Sequence, residues 1–402
     1  MTAVTAAEHT KTEERHALAV ACGAHVLHDG YTDLVYLMLP IWQAEFGLGY
    51  AALGLMRTVF SGTLAGFQIP SGFLADRYGA PIVLALGTAL AGLGYCLAGL
   101  SQGVMLLVGA LFVGGLGAST QHPIGSSLVT HIFSGARSMK AFGAYNFSGD
   151  IGKMTVPAAA SLLFVVLPWR HAVALLGGIG LLAGIAIFFL MPRFHAAAAA
   201  PRKSEDSARV AGSRSAYGFP LLLSIGVIDS TSRMAFLTFL PFVLTAKGAT
   251  LPTVGLSLTL VFAGGAVGKL VCGFIGARVG VITTVWLTEI VTALGIVAVL
   301  PLPLEGVLVL LPIVGIALNG TSSVVYGSVP DLVSPAKRQR AFSIFYTGTI
   351  GAGAVSPALF GLLGDAVGVP SALVAVAGVV LITLPITLAL RPALTSATAS
   401  SL

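Results

Sequence analysis

Apolar runs long enough to cross a bilayer recur twelve times along this chain of 402 residues. At 1.5 Å rise per residue, about 20 helical residues span a hydrocarbon core about 30 Å thick. The runs lie near Ala17–Trp42, Ala51–Leu74, Pro81–Leu100, Val104–Val129, Met139–Leu167 and His171–Met191. Six more follow, near Tyr217–Thr245, Pro252–Ile275, Val281–Leu300, Val307–Pro330, Ala341–Leu363 and Ser371–Leu390. A lipid-facing backbone must satisfy its own hydrogen bonds, so only helices or closed barrels qualify. A barrel needs short alternating segments, which these are not. With 56% hydrophobic and 9% charged residues, the chain departs from soluble domains, where about a quarter of residues are charged. The expected fold class is an all-α polytopic membrane protein with twelve transmembrane helices.

The pattern stops once. Residues 192–216, from Pro192 (PRFHAAAAAPRKSEDSARVAGSRSA), are polar, Ala-rich and basic, the composition of a flexible linker. The expected organisation is a six-helix bundle over 1–191, a linker over 192–216 and a second six-helix bundle over 217–402. The formal net charge of +6 raises a nucleic-acid partner, but the placement of the charges answers it. With a cytoplasmic N-terminus, the cytoplasmic side takes Lys11, Arg15, Arg77, Arg137, Lys140, Arg193, Arg202, Lys203, Arg209, Arg214, Arg278, Lys337, Arg338, Arg340 and Arg391. The other side takes only Arg170 and Lys247. This is the positive-inside bias, so the charge sets topology and both termini are expected in the cytoplasm. No secretory leader is read in the polar N-terminus. Cys22, Cys96 and Cys272 each sit inside an apolar run without metal-ligand spacing.

The chain also repeats itself. Gly72–Gly79 (GFLADRYG) matches Gly273–Gly280 (GFIGARVG), Lys140-Ala-Phe with Pro157 matches Arg340-Ala-Phe with Pro357, and Asp29 with Pro40 is echoed by Asp229 with Pro241. Three matches in the same order, each offset by about half the chain, mark two copies related in parallel, because six crossings return the chain to its starting side.

Ionisable residues inside the runs point to function, since a charged group facing lipid costs at least ~2.5 kcal/mol. On the first helix His25, His28, Asp29 and Asp33 follow i, i+3, i+4 and i+8 and share one face. The wider set adds Arg57, Asp150, Lys153, Asp229, Arg233, Lys269 and Glu289. Asp150 with Lys153 and Asp229 with Arg233 have the spacing of intrahelical pairs, and Asp33 with Arg57 is expected as a third pair. Asp29, Asp33, Asp150 and Asp229 are the proton-coupling candidates, Asp29 foremost. Lys153 and Arg233, projecting from opposite halves towards a central cavity, would clamp an anionic group, Arg through a bidentate fork and Lys as a point charge. Lys269 lies nearer a helix end and could snorkel. His25, His28, Asp29 and His122 also permit divalent transition-metal transport as an alternative, although no metal is expected as a bound cofactor. Tyr145, Asn146 and Tyr346 are further binding candidates, with His25, His28, Arg57 and His122.

Two six-helix halves with GFLADRYG between the second and third helices resemble the major facilitator superfamily. Gly72, Leu74, Ala75, Asp76, Arg77 and Gly79 match its loop signature; Ala80 and Pro81 stand where its basic tail would be, and Ala277 where the second copy would carry the acid. The resemblance implies a gating role for Gly72, Asp76, Arg77 and Gly79, with Asp76 making an interhelical charge contact. GLLGDAVG at Gly361–Gly368 has a similar look on the opposite side, and the family's ninth helix, which would hold Glu289, is usually peripheral. Within the superfamily the first helix (AHVLHDGYTDLVYLMLPIWQAEFGL) and the fourth (GLGASTQHPIGSSL) look like the fosmidomycin-resistance group of drug exporters, through His25, Asp29, Pro40, His122, Pro123 and Ser126. That likeness implies a phosphonate-type substrate.

The expectation is a monomeric secondary transporter of a bacterial cytoplasmic membrane, exporting a small anionic or zwitterionic compound against protons by alternating access. No GxxxxGK[ST] loop is present, so the proton gradient, with no cofactor, is the expected driving force. Neither a large extramembrane domain nor a set of nucleophile, base and orienting group supports an enzyme.

Overall fold

The computed structural model describes residues 11–133, 135–192, 217–334 and 337–399, so all but the first residue of the expected linker lies outside the described residues. The first half contains α1 (Lys11–Phe46), α2 (Tyr50–Gly66), α3 (Gln68–Tyr78), α4 (Ala80–Gly99), α5 (Val104–Ala118), α6 (Gln121–Ile132), α7 (Gly135–Val166) and α8 (Trp169–Leu190). The second half contains α9 (Gly218–Ala246), α10 (Leu251–Val279), α11 (Val281–Ala298), α12 (Leu304–Gly327), α13 (Val329–Leu332), α14 (Arg338–Val367), α15 (Val369–Leu381) and α16 (Thr383–Ala399). No strand occurs among the described residues.

Among the described residues, ten spans are long and apolar enough to cross a membrane. Two crossings of the twelve-helix fold fall outside that test for physical reasons. The window of α1 is diluted by its histidines and carboxylates, and the second crossing is split into α2 and α3 at Phe67. The fourth, tenth and twelfth crossings are likewise made of two pieces, α5 with α6, α12 with α13 and α15 with α16. Prolines lie inside α1, α7, α9 and α14 at the repeated positions Pro40, Pro157, Pro241 and Pro357. Each removes a backbone donor from its helix. The last glycine of each repeated loop signature turns the chain, with φ +93° at Gly79 and +87° at Gly280. Such backbone is strained for any residue with a Cβ.

Packing divides the described residues into two compact units. One takes the chain up to Leu34, Gly66–Val156, and Val166 through α8. The other takes Val35–Ala65, Pro157–Val165 and α9 through α16. The sequence repeat and the packing units are therefore different divisions of one chain. Close helix contacts within each unit depend on glycine: α4 meets α8 at Gly92, Gly177 and Gly180, and α10 meets α12 at Gly264, Gly268 and Gly315. In the second unit the Asp365 carboxylate accepts the backbone N–H groups of Tyr50 at 2.6 Å and Ala51 at 3.0 Å. It thereby caps the start of α2, where the first N–H groups have no intrahelical partner. Large side chains such as Leu86, Met105 and Phe189 stay exposed on the helix bundle, as a lipid-facing surface requires.

Candidate functional site

The first unit buries a cluster of ionisable groups where α1 crosses α7. The crossing is tight because both helices carry glycine there. A Cβ on Gly30 would overlap the Val156 side chain, and one on Gly152 would overlap the Val26 carbonyl oxygen. One turn before Gly152, a Cβ on Gly149 would run into Asp29 Oδ2 and the His25 ring. Glycine therefore brings the α7 backbone directly against the charged face of α1.

Asp29 is the hub, with a side chain 7% exposed. Its Oδ1 lies 3.5 Å from His25 Nε2, 3.7 Å from His28 Nε2 and 3.9 Å from His122 Nε2. Its other oxygen, Oδ2, lies 3.3 Å from Lys153 Nζ. His25 is fixed by a 2.8 Å hydrogen bond from Nδ1 to the Tyr145 carbonyl, and its ring stacks on Tyr145. A carbonyl only accepts, so Nδ1 carries the proton and the neutral ring keeps its lone pair on Nε2. That Nε2 is buried without a hydrogen-bond partner. Tyr145 is tied in turn to Gln121. His122 stands in the first turn of α6 with its Nε2 3.4 Å from His28 Nε2. At 44% and 29% exposure, the His122 and Lys153 side chains form the cluster's open side. A small cavity of about 10 Å³ beside His28, reaching Thr88, Thr120 and Gln121, has roughly the volume of one water.

Of the other expected site residues, Asp150 is buried 4.0 Å from Lys153, and Asp33 is buried within electrostatic reach of the same ammonium. Asn146 is exposed on α7. Arg57 belongs to the second unit, where its Nη2 donates to the Tyr36 hydroxyl at 3.0 Å and its guanidinium lies over the Tyr36 ring. Asp33 belongs to the first unit. Tyr36 also donates to Met234 Sδ at 3.0 Å within the second unit. Lys269 is half-buried on α10. Gly72 is half-buried, and Asp76 and Arg77 are exposed at the end of α3. Asp76 makes no ion pair with any described residue, and Arg77 lies over the Tyr78 ring.

The second unit holds a different polar cluster. Asp229 Oδ2 is 3.6 Å from Arg233 Nη2, one turn along α9. Glu289 on α11 is 1% exposed, touches Thr321, and lies within electrostatic reach of both Asp229 and Arg233. Thr321 donates to Thr288, and Thr288 to the Thr284 carbonyl. Glu289 is thus an interior residue, although the usual peripheral place of its helix gave it no role. Tyr346 is half exposed and packs on Tyr326, whose hydroxyl bonds Thr349 at 2.9 Å. Two features escaped sequence reasoning: the inward face of Glu289 and the capping role of Asp365. Only the second left a trace, in the GLLGDAVG run.

Comparison with known proteins agrees with this architecture. The family model of the Major Facilitator Superfamily matches residues 21–228 and again 222–401. The fosmidomycin resistance protein of Escherichia coli (strain K12) is 25% identical over 350 residues, covering 85% of this chain and 84% of that protein. A probable sulfoacetate transporter of Cupriavidus necator is 26% identical over 287 residues, covering 67% of this chain and 66% of that one. In fold, the chain is similar to a bacterial homologue of the human lysosomal transporter Spinster, solved in an inward-facing, occupied conformation. The TM-score is 0.73 at 16% identity, with 98% of each chain covered. Both halves match one family of transporters, which are not enzymes, and the chain belongs to the Major Facilitator Superfamily.

Proposed function

We propose that this protein is a proton-coupled exporter of a small anionic or zwitterionic compound, working by alternating access as a monomer in a bacterial cytoplasmic membrane with both termini in the cytoplasm. The observation that carries the reading is the contact of Lys153 Nζ with Asp29 Oδ2 at 3.3 Å on the open side of the first-unit cluster. It offers an anion contact whose resident counter-ion is a protonatable carboxylate.

The sign of the coupling selects among substrates. For a simple anion, protonating Asp29 frees Lys153 to bind it, so proton and anion occupy the site together, which is cotransport. A zwitterion separates the pair instead, its anionic arm on Lys153 and its cationic arm on Asp29. A proton then competes with the cationic arm, which is the exchange needed for export against an inward proton gradient. The zwitterion is therefore the favoured substrate within this class. Fosmidomycin and sulfoacetate, named for the relatives, support the anionic arm. The proton gradient alone drives the cycle, with no cofactor. Asp76, Arg77, Gly72 and Gly79 serve the gating movement.

The test is substrate-dependent proton release in proteoliposomes, using an aminophosphonate against a simple phosphonate of equal size. Exchange with the aminophosphonate that disappears in both Lys153→Ala and Asp29→Asn supports the proposal. Unchanged substrate affinity in Lys153→Ala sinks it.

A further inference from the structure

The geometry points to a divalent transition-metal site of the zinc class at His25 Nε2, His28 Nε2, His122 Nε2 and Asp29 Oδ1, and we propose that such a cation binds there. This goes beyond the transport reading and does not depend on which organic substrate the protein carries.

Four observations converge. The first is spacing. With metal–ligand bonds of about 2.0–2.1 Å, neighbouring donors of a tetrahedral site lie roughly 3.4 Å apart. Here His28 Nε2 and His122 Nε2 are 3.4 Å apart, and Asp29 Oδ1 lies 3.5, 3.7 and 3.9 Å from the three imidazole nitrogens. The nitrogen–nitrogen contact is long for a hydrogen bond and suitable as the edge of a coordination shell. His25, Asp29 and His122 bring their donor atoms within 4.8 Å of one another, and His28 joins this set through its contacts with Asp29 and His122.

The second is ligand preparation. A metal-binding imidazole commonly donates its other N–H to a backbone carbonyl, which fixes ring and tautomer. His25 makes that bond to Tyr145 and leaves Nε2 buried and unpartnered, facing Asp29.

The third is charge. Asp29 brings a carboxylate to the three imidazoles, and the Lys153 ammonium that faces it also lies 4.0 Å from Asp150 and within electrostatic reach of Asp33. A dication at Oδ1 would meet the negative charge of Asp29 directly. Lys153 contacts Asp29 through Oδ2, so Oδ1 remains directed at the histidines.

The fourth is that the fold does not require these side chains. At the offset separating Asp29 from Asp229, the second copy has Ile225 for His25, Ile228 for His28 and Ser322 for His122. Ile225 is fully buried in an apolar core. The same kind of bundle is thus built with two isoleucines and a serine where the first copy has three imidazoles. Soft-to-borderline nitrogen donors with one carboxylate suit zinc and cobalt better than magnesium or calcium, which prefer oxygen.

The experiment is a Co2+ titration of the purified, tag-free full-length protein, read by visible absorption and repeated with Zn2+ as competitor. The expected result is one Co2+ per chain with the strong d–d bands of four-coordinate cobalt, displaced by Zn2+. His122→Ser, whose side chain stands on the open side of the cluster, should weaken binding at least about tenfold, as should His25→Ile and His28→Ile, which install second-copy residues. Lys153→Met should bind the metal at least as tightly as wild type, because it removes a neighbouring positive charge. The same variant should lose anion recognition, so failure of either reading is visible separately. Absence of tetrahedral bands in wild type would overturn the site. So would bands that persist unchanged in His122→Ser, or binding that is lost in Lys153→Met while that variant keeps the wild-type unfolding temperature.

Discussion

In the first unit Asp29 sits among three imidazoles and takes its cation, Lys153, from another helix, α7. In the second unit Asp229 takes its cation from its own helix, Arg233 one turn on, and the nearby group from another helix is a second acid, Glu289. Matching the copies position by position shows how this arose. Arg233 stands where the first copy has Asp33, Gly353 where it has Lys153, and Glu289 where it has Thr88. The contrast extends to the backbone. Gly149 and Gly152 let α7 close onto the Asp29 cluster, whereas Thr349 and Ala352 occupy the matching places, and Thr349 uses its hydroxyl to hold Tyr326. One carboxylate position is shared and its surroundings differ, with three imidazoles and a lysine in one copy and a hydroxyl-supported acid pair in the other.

The comparison breaks most readily at the carboxylates. Asp29→Asn should reduce pH-gradient-driven transport by about a hundredfold, within the range attributed to one positioned proton-transfer group. Asp229→Asn should reduce it by only about tenfold. Equal losses in a proteoliposome flux assay would mean that the second cluster carries protons as fully as the first.

Next in size is the steric prediction. Gly152→Val must displace α7 from the Val26 carbonyl and should lower stability by about 1–3 kcal/mol, as overpacking does. Ala352→Val, on the copy already holding a Cβ, should cost under about half of that. Thermal unfolding in detergent reads both, and equal shifts would remove the argument that Gly152 marks a closer backbone contact than its second-copy counterpart.

Asp365→Ala uncaps Tyr50 and Ala51 and should cost about 1 kcal/mol. The matching first-copy residue, Val165, has no carboxylate, so Val165→Ala should leave exchange of those amides unchanged. Faster hydrogen exchange at the start of α2 in Asp365→Ala is the expected signature, and unaltered exchange would remove the cap from the account.

The smallest effect is expected at Glu289. Replacing it with Gln keeps the Thr321 contact but removes an acid placed beside Asp229, so the unfolding temperature should rise by about 2 °C or less while transport falls. A lowered unfolding temperature would mark Glu289 as a structural group instead.

Much of this was legible in the chain. Apolar run length, the basic loops and the repeats at Gly72–Gly79 and Gly273–Gly280 carry the fold, because a bilayer admits few solutions and a duplicated sequence repeats its turns. Gly79 and Gly280 show why the signature survives in weakened form: the positive φ tolerates changes around the glycine but not of it. The shared face of His25, His28 and Asp29 was also visible, since helical periodicity puts residues three and four apart together. Asp150 beside Lys153 and Asp229 beside Arg233 are likewise intrahelical neighbours whose spacing alone brings them close.

Contacts between helices were decided elsewhere. Nothing in the spacing of α1 says that Lys153 rather than another cation faces Asp29, that His122 closes the ring of imidazoles, or that Tyr145 offers its carbonyl to His25. Those depend on how far α7 and α6 approach α1, and for α7 that distance is set by glycines whose partners lie more than a hundred residues away. Glu289 is the clearest case, an acid on an apolar helix whose inward or outward face follows from helix rotation alone. The sequence by itself determined the number of crossings, the duplication and which helix faces are polar, because these follow from local periodicity and the membrane. Which polar faces meet, and so which groups can share a proton, an anion or a metal, was settled only by tertiary packing, because a charge acts over a few ångströms that no spacing along one helix can specify.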